Sequence, residues 1–155
     1  MEIDNKLIST ALLFALLSFS TVGECYQTTS NLSHGGGGSD YALFNKCAES
    51  PSASQSELNE CSYKQFKKYD SELNLKYNKL LMIASNTPGA VDKIKKQERG
   101  WVKFRDYYIE AMFPKNDKLA NYGSRYLMDK NLALASLTLI HIRDLNYLIN
   151  AYNSN

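Results

Sequence analysis

The chain has 155 residues, 44% of them hydrophobic and 22% charged, with 18 Lys or Arg against 16 Asp or Glu for a net charge of +2. That length gives one domain with a real core and is short for two. A balance so near neutrality argues against a dedicated nucleic-acid binder, and by itself names no partner.

Residues 1–23 carry an apolar run from Leu7 to Phe19 and close on the small residues Thr21, Val22 and Gly23, the outline of a secretory signal cut after Gly23. Glu2 and Asp4 offset Lys6 where such segments usually carry net positive charge. The run is shorter than the roughly 20 apolar residues of a spanning helix, and no later segment is expected to cross a membrane. The expected location is therefore periplasmic or secreted. Lipid anchoring at Cys25 is disfavoured, because Glu24 stands where such a site wants Gly, Ala or Ser.

Residues 24–40 are rich in Thr, Ser, Asn and Gly and include Gly35-Gly36-Gly37-Gly38, a composition that reads as a flexible linker. The sequon Asn31-Leu32-Ser33 matters only in a cell that glycosylates it. His34 has no partner pattern around it.

The folded domain is expected over residues 41–155. Cys47 and Cys61 bracket a Ser-rich turn containing Pro51, and in an oxidising compartment two cysteines so close are expected to form a disulfide. Cys25 is then left over. Ser54-Gln55-Ser56-Glu57 fits a capping box, so the first long helix should start there. Leu58, Ser62, Phe66, Tyr69, Leu73, Tyr77, Leu80 and Ala84 fall on one face of it as far as about Ser85. Asn86-Thr87-Pro88-Gly89 breaks the pattern, with Thr87 as expected N-cap and Pro88 at the first position of the second helix. Ala90, Ile94, Trp101, Phe104, Tyr108 and Met112 share a face of that helix, which should stop before Pro114. A polar stretch ending in Gly123 leads to a third helix that aligns Leu127, Leu134, Leu137, Thr138, His141, Leu145, Leu148 and Tyr152. The fold class implied is all-α, an antiparallel three-helix bundle with one N-terminal disulfide loop.

An enzyme would need convergent titratable groups, and the helical phases offer few. There is no metal-ligand spacing, phosphate loop or nucleophile motif, and no cofactor is expected. His141 lies in an apolar stripe and reads as a core histidine. Arg105 projects about 40° from Trp101 and so faces inward, where a guanidinium needs a carboxylate; Asp70, at the edge of the first helix's apolar face, is its expected structural partner. A recognition site formed by Trp101, Arg105 and Asp106 is the alternative.

Residues 61–105 hold eleven Lys or Arg against Asp70, Glu72, Asp92 and Glu98, so this stretch is basic while the remainder is acidic. Within it Lys64, Lys68 and Lys79 lie opposite the core with Leu75 among them, and on the second helix Lys103 and Tyr107 point outward beside Arg99. A solvated lysine face explains the charges. Leu75 and Tyr107 are the oddities that make these two patches candidate partner-binding surfaces.

Two blocks carry a resemblance. The cysteine-bracketed segment Cys47 to Cys61, with Glu57-Leu58-Asn59-Glu60-Cys61 and then Asp70-Ser71-Glu72-Leu73-Asn74-Leu75-Lys76-Tyr77, resembles the opening of the LprI-like lysozyme-inhibitor family. Glu98-Arg99-Gly100-Trp101-Val102-Lys103-Phe104-Arg105-Asp106 resembles its second block, and Gly123-Ser124 and Leu137-Thr138 match weaker positions. A second cysteine pair found in many members is absent here, where Ile109 and about Ala133 stand. His141 replaces an Arg often found three residues after the Thr.

The resemblance implies a non-catalytic protein that binds a protein partner, possible targets being a lysozyme, another peptidoglycan hydrolase or a rival's toxin. Animal lysozymes are strongly basic and would be repelled by the 61–105 stretch, which shifts the expectation towards another hydrolase. The alternative reading is a structural envelope module whose lysines hold anionic polymer or a membrane surface.

Overall fold

A computed structural model of the chain describes residues 40–154. The expected signal, the linker as far as residue 39 and Cys25 lie outside the described residues. From Tyr41 onward the chain forms one compact unit. The described residues are all-helical, with five helices in chain order: α1 (Ala42–Ala48), α2 (Gln55–Ala84), α3 (Ala90–Met112), α4 (Lys118–Tyr122) and α5 (Tyr126–Asn153).

Helix α1 has no side-chain N-cap, so its first amides need acceptors from elsewhere. The side chain of the fully buried Gln65 on α2 supplies one: its Oε1 accepts from the backbone N–H of Leu43 at 3.1 Å and of Phe44 at 3.4 Å. The Cys47–Cys61 disulfide forms and ties the other end of α1 to the same helix. This short helix, absent from the sequence pattern, is held by one covalent and one polar clamp.

Helix α2 begins as the capping box requires. Ser54 Oγ accepts from the Glu57 backbone N–H at 3.3 Å, and Glu57 Oε2 accepts from the Ser54 backbone N–H at 2.7 Å. The Ser54 backbone N–H foremost, and the Ser54 hydroxyl that donates to the same Oε2 at 2.7 Å, hold the Glu57 carboxyl below the usual carboxylate range. The turn that follows α2 differs from expectation. Thr87 does not cap α3 and Pro88 is not its first residue; the Thr87 N–H bonds Ala84 O, the Ala90 N–H bonds Thr87 O, and the N-cap is Gly89 at φ +72°. A reversal this tight needs a residue in the left-handed region, which glycine enters without a Cβ penalty.

Helices α2 and α5 are the closest pair. Asn59 Nδ2 donates to Ser124 O at 3.2 Å, and Asn131 Nδ2 to Ser62 Oγ at 3.3 Å. Tyr69, Leu73, Leu80 and Ala84 of α2 bury against Ala135, Ile142, Leu145 and Ile149 of α5, with Ala90 and Ile94 of α3 completing the cluster. Leu127, expected in the α5 stripe, is instead exposed. The connector from α3 to α5 is organised by aromatic edges: Phe113 is buried and packs edge-on against Tyr122 at 5.2 Å and Tyr126 at 5.0 Å. Asp117 caps α4 by accepting from the Ala120 N–H at 3.0 Å.

Two expectations change. Helix α5 is long and apolar enough to cross a membrane by length and composition, with mean hydropathy 1.2 over 18 residues. Packing against α2 and α3 accounts for part of this, since 39% of that stretch is buried, while Ile140 and Tyr147 stand exposed. The stripe of α3 also differs. Phe104, Tyr108 and Met112 are exposed, at 53%, 42% and 45%, while Arg105 is half-buried and Ile109 is buried. The inward positions Ala90, Ile94, Glu98, Trp101, Arg105 and Ile109 advance mostly by four residues, about 40° per step, so the stripe winds around the helix instead of running straight along it.

Reduction of the Cys47–Cys61 bridge, which spans 14 positions, should lower stability by about 2–4 kcal/mol and release α1. Thermal melts with and without reductant test this, and an unchanged midpoint after confirmed reduction contradicts it.

Candidate functional site

The interior of the domain is unusually polar along α5. His141 is 1% exposed and stacks on Trp101 of α3 with ring centroids 4.1 Å apart and planes 10° from parallel. Its Nε2 lies 3.0 Å from Glu98 Oε2, also on α3. Nδ1 stands 3.9 Å from Asp144 Oδ2, beyond hydrogen-bond reach. The buried imidazole thus meets α3 through both its edge and its face. Glu98 was not singled out from the sequence, although it sits about 60° from Trp101 on the helix and so turns towards the same neighbour. This arrangement is that of a core histidine held at one edge and one face by α3, with Nδ1 buried and without a hydrogen-bond partner. Among the described residues no group of His, Cys, Asp and Glu could hold a metal ion.

Arg105 and Asp70 are not brought together. Arg105 donates to Asp106 Oδ1 from Nε at 3.0 Å and from Nη2 at 2.8 Å, and its guanidinium carbon lies 5.4 Å from the Trp101 ring centroid. Asp70 accepts from Lys67 Nζ at 2.7 Å, an (i, i+3) pair within α2 that raises the Lys67 pKa through that hydrogen bond and the carboxylate's charge. Each group takes a partner on its own helix, and Phe66 lies with Arg105 and Asp106 in the wall of an open cleft. That cleft, of about 470 Å³, is also lined by Ile109, Tyr126 and Lys130.

The two surface patches differ in kind. On α2, Lys64, Lys68, Leu75 and Lys79 are all exposed, Leu75 at 71%. Lys64 pairs with Glu60 at 3.4 Å, and Lys68 Nζ lies 5.7 Å from the Tyr69 ring centroid. Leu75 is there an isolated apolar contact among charges. On α3, Lys103 and Tyr107 are exposed, Tyr107 at 67%, and the winding of the buried stripe adds Phe104, Tyr108 and Met112 beside them. Phe104 and Tyr108 touch each other with centroids 5.9 Å apart. Sequence phasing found Tyr107 and missed the other three, since it assigned them to the core.

Gly100 stands in the middle of this outward side of α3. A Cβ placed there would meet nothing within 4 Å. No packing requirement of the domain therefore explains a glycine in the interior of a helix.

A family model described as lysozyme inhibitor LprI matches residues 47–145, a span that runs from the first disulfide cysteine through α5 to Leu145. Comparison with curated proteins and with solved structures returns no match.

Two outcomes follow from this geometry. Glu98→Ala should destabilise the domain by about 1–3 kcal/mol, because it strips a buried imidazole of its one hydrogen-bond partner; a denaturant midpoint equal to the unmutated chain's contradicts that role. Gly100→Ala should instead stabilise by about 0.5–1 kcal/mol, since it adds helix propensity without a clash. A lower melting temperature for that variant means the glycine serves the fold after all.

Proposed function

The chain belongs to the lysozyme inhibitor LprI family, and from that premise we propose that it is an exported, non-catalytic binding protein that blocks a lysozyme or another peptidoglycan hydrolase by covering its cleft. In this reading the three long helices act as one antiparallel bundle that presents α3 to the partner, without a cofactor and without spanning a membrane. The apolar leader and the Cys47–Cys61 disulfide support export, since such bridges persist in oxidising compartments.

The observation that carries the proposal is the exposed aromatic side of α3. Phe104, Tyr107, Tyr108 and Met112 expose residue types enriched at protein interfaces, Phe104 and Tyr108 in contact with each other, whereas α2 offers Leu75 among lysines and Met82 two turns on. A few large, desolvated side chains dominate the affinity of such interfaces, and surrounding charges set orientation and encounter rate. The α3 patch has both components in one place.

Tyr107→Asp and Leu75→Asp should both fold, because neither side chain is buried. Tyr107→Asp should abolish protection of cell walls from lysis, and Leu75→Asp should leave it unchanged. The reverse result moves the contact to α2. If the unmutated chain protects against no lysozyme or envelope hydrolase, inhibition is not its function.

A further inference from the structure

The open cleft of about 470 Å³ draws its lining from α2, α3, α4 and α5, with Phe66, Ile109 and Leu134 among its apolar members. Its charged groups are of both signs, and two of them are engaged within the fold. Asp106 accepts from Arg105, and Lys118 Nζ donates to the Phe113 carbonyl. Glu110 and Lys130 are not engaged. They line the same cleft from α3 and α5, yet among the described residues neither stands within 4.0 Å of an opposite charge. Arg105 is half committed: Nε and Nη2 share one oxygen of Asp106, and Nη1 has no hydrogen-bond partner among the described residues. The guanidinium is held over the Trp101 ring, so that donor is placed before any ligand arrives. An apolar lining thus carries one open carboxylate and two open cationic donors.

We infer that this cleft binds a small apolar zwitterion, an α-amino acid with an aromatic or branched side chain and both of its charges free. Lys130 and Arg105 Nη1 take the carboxylate, Glu110 takes the ammonium, and Phe66, Ile109 and Leu134 cover the side chain. Each part of the ligand answers an observation. A simple anion would meet Glu110 as a like charge, and a simple cation would meet Lys130 and Arg105. A ligand that carries both signs satisfies all three. An uncharged apolar molecule would take water from these groups and return nothing to them. The volume falls within the roughly 300–1,000 Å³ of small-molecule pockets. Tyr107 does not line the cleft, so this site and the contact surface proposed on the exposed side of α3 stand or fall separately.

The test titrates the full chain with phenylalanine, N-acetylphenylalanine, phenylalanine amide and alanine, read by calorimetry and by NMR shifts at Ile109 and Leu134. Phenylalanine should bind saturably and move both signals. The acetylated and amidated forms should bind about tenfold or more weakly, since each has lost one charge-assisted contact. Alanine should also bind about tenfold or more weakly, for want of an apolar body. Glu110→Gln should weaken phenylalanine by about tenfold and leave N-acetylphenylalanine no weaker; Lys130→Gln should do the same for phenylalanine and leave the amide no weaker. Both variants should melt with the unmutated chain. N-acetylphenylalanine binding as tightly as phenylalanine makes the cleft an anion site and overturns the inference, and the amide binding as tightly overturns it in the other direction. Absence of saturable binding, shifts confined to other residues, or affinity undiminished in both variants overturns it outright.

Discussion

A buried imidazole cannot be left without partners, and that constraint sets the phase of α3. His141 sits near the middle of α5 with almost no exposure, and α3 brings Glu98 to its edge and Trp101 to its face. Once those two side chains point inward, helical geometry leaves no choice for the rest. Gly100, Lys103 and Tyr107 must point away from the core, and Arg105 must lie over the Trp101 ring, within reach of Asp106. Rotation of α3 by half a turn would bury lysines and strand the imidazole. The exposed aromatic side of α3, the proposed contact surface, is thus oriented by a contact on the opposite side of its own helix.

Two further polar groups of the interior, Ser62 and Gln65, also take partners, whereas the buried Thr138 hydroxyl has none. Ser62, Gln65 and Thr138 are fully buried on the two helices that pair most closely. Gln65 accepts from the start of α1, and Ser62 both accepts from Asn131 of α5 and donates to the Asn59 carbonyl of its own helix. Such bonds add little net free energy but penalise any register that breaks them. A core so mixed keeps its helices in one alignment, which an all-leucine core would specify less sharply.

The charges divide into local pairs and an unpaired basic excess. The pairs that are satisfied are mostly local: Lys67 with Asp70, Arg105 with Asp106, Arg125 with Asp129. Exposed pairs of this kind contribute little to stability. The basic excess of residues 61–105 is left largely on the surface, where under the proposed function it would set the rate of encounter with a partner.

The sequence alone determined the helical class, the limits of α2 and the end of α3, because these rest on local chemistry: a capping box, an apolar period of 3.6 and a proline. It also determined the disulfide, since two cysteines close in sequence are close in space wherever the chain turns back, and the exposure of Leu75, Lys79, Lys103 and Tyr107, which stand opposite strongly apolar positions. Tertiary structure decided the rest. The partners of Arg105 and Asp70 were decided by which opposite charge came nearest in space, Asp106 for the one and Lys67 for the other, a distance that no periodicity encodes. The start of α3 moved to Ala90 because the turn needed a left-handed residue at Gly89. Phe104, Tyr108 and Met112 left the core because α3 meets its neighbours along a winding stripe. An apolar side chain records that a surface can be buried, and only the angle at which two helices cross decides whether it is.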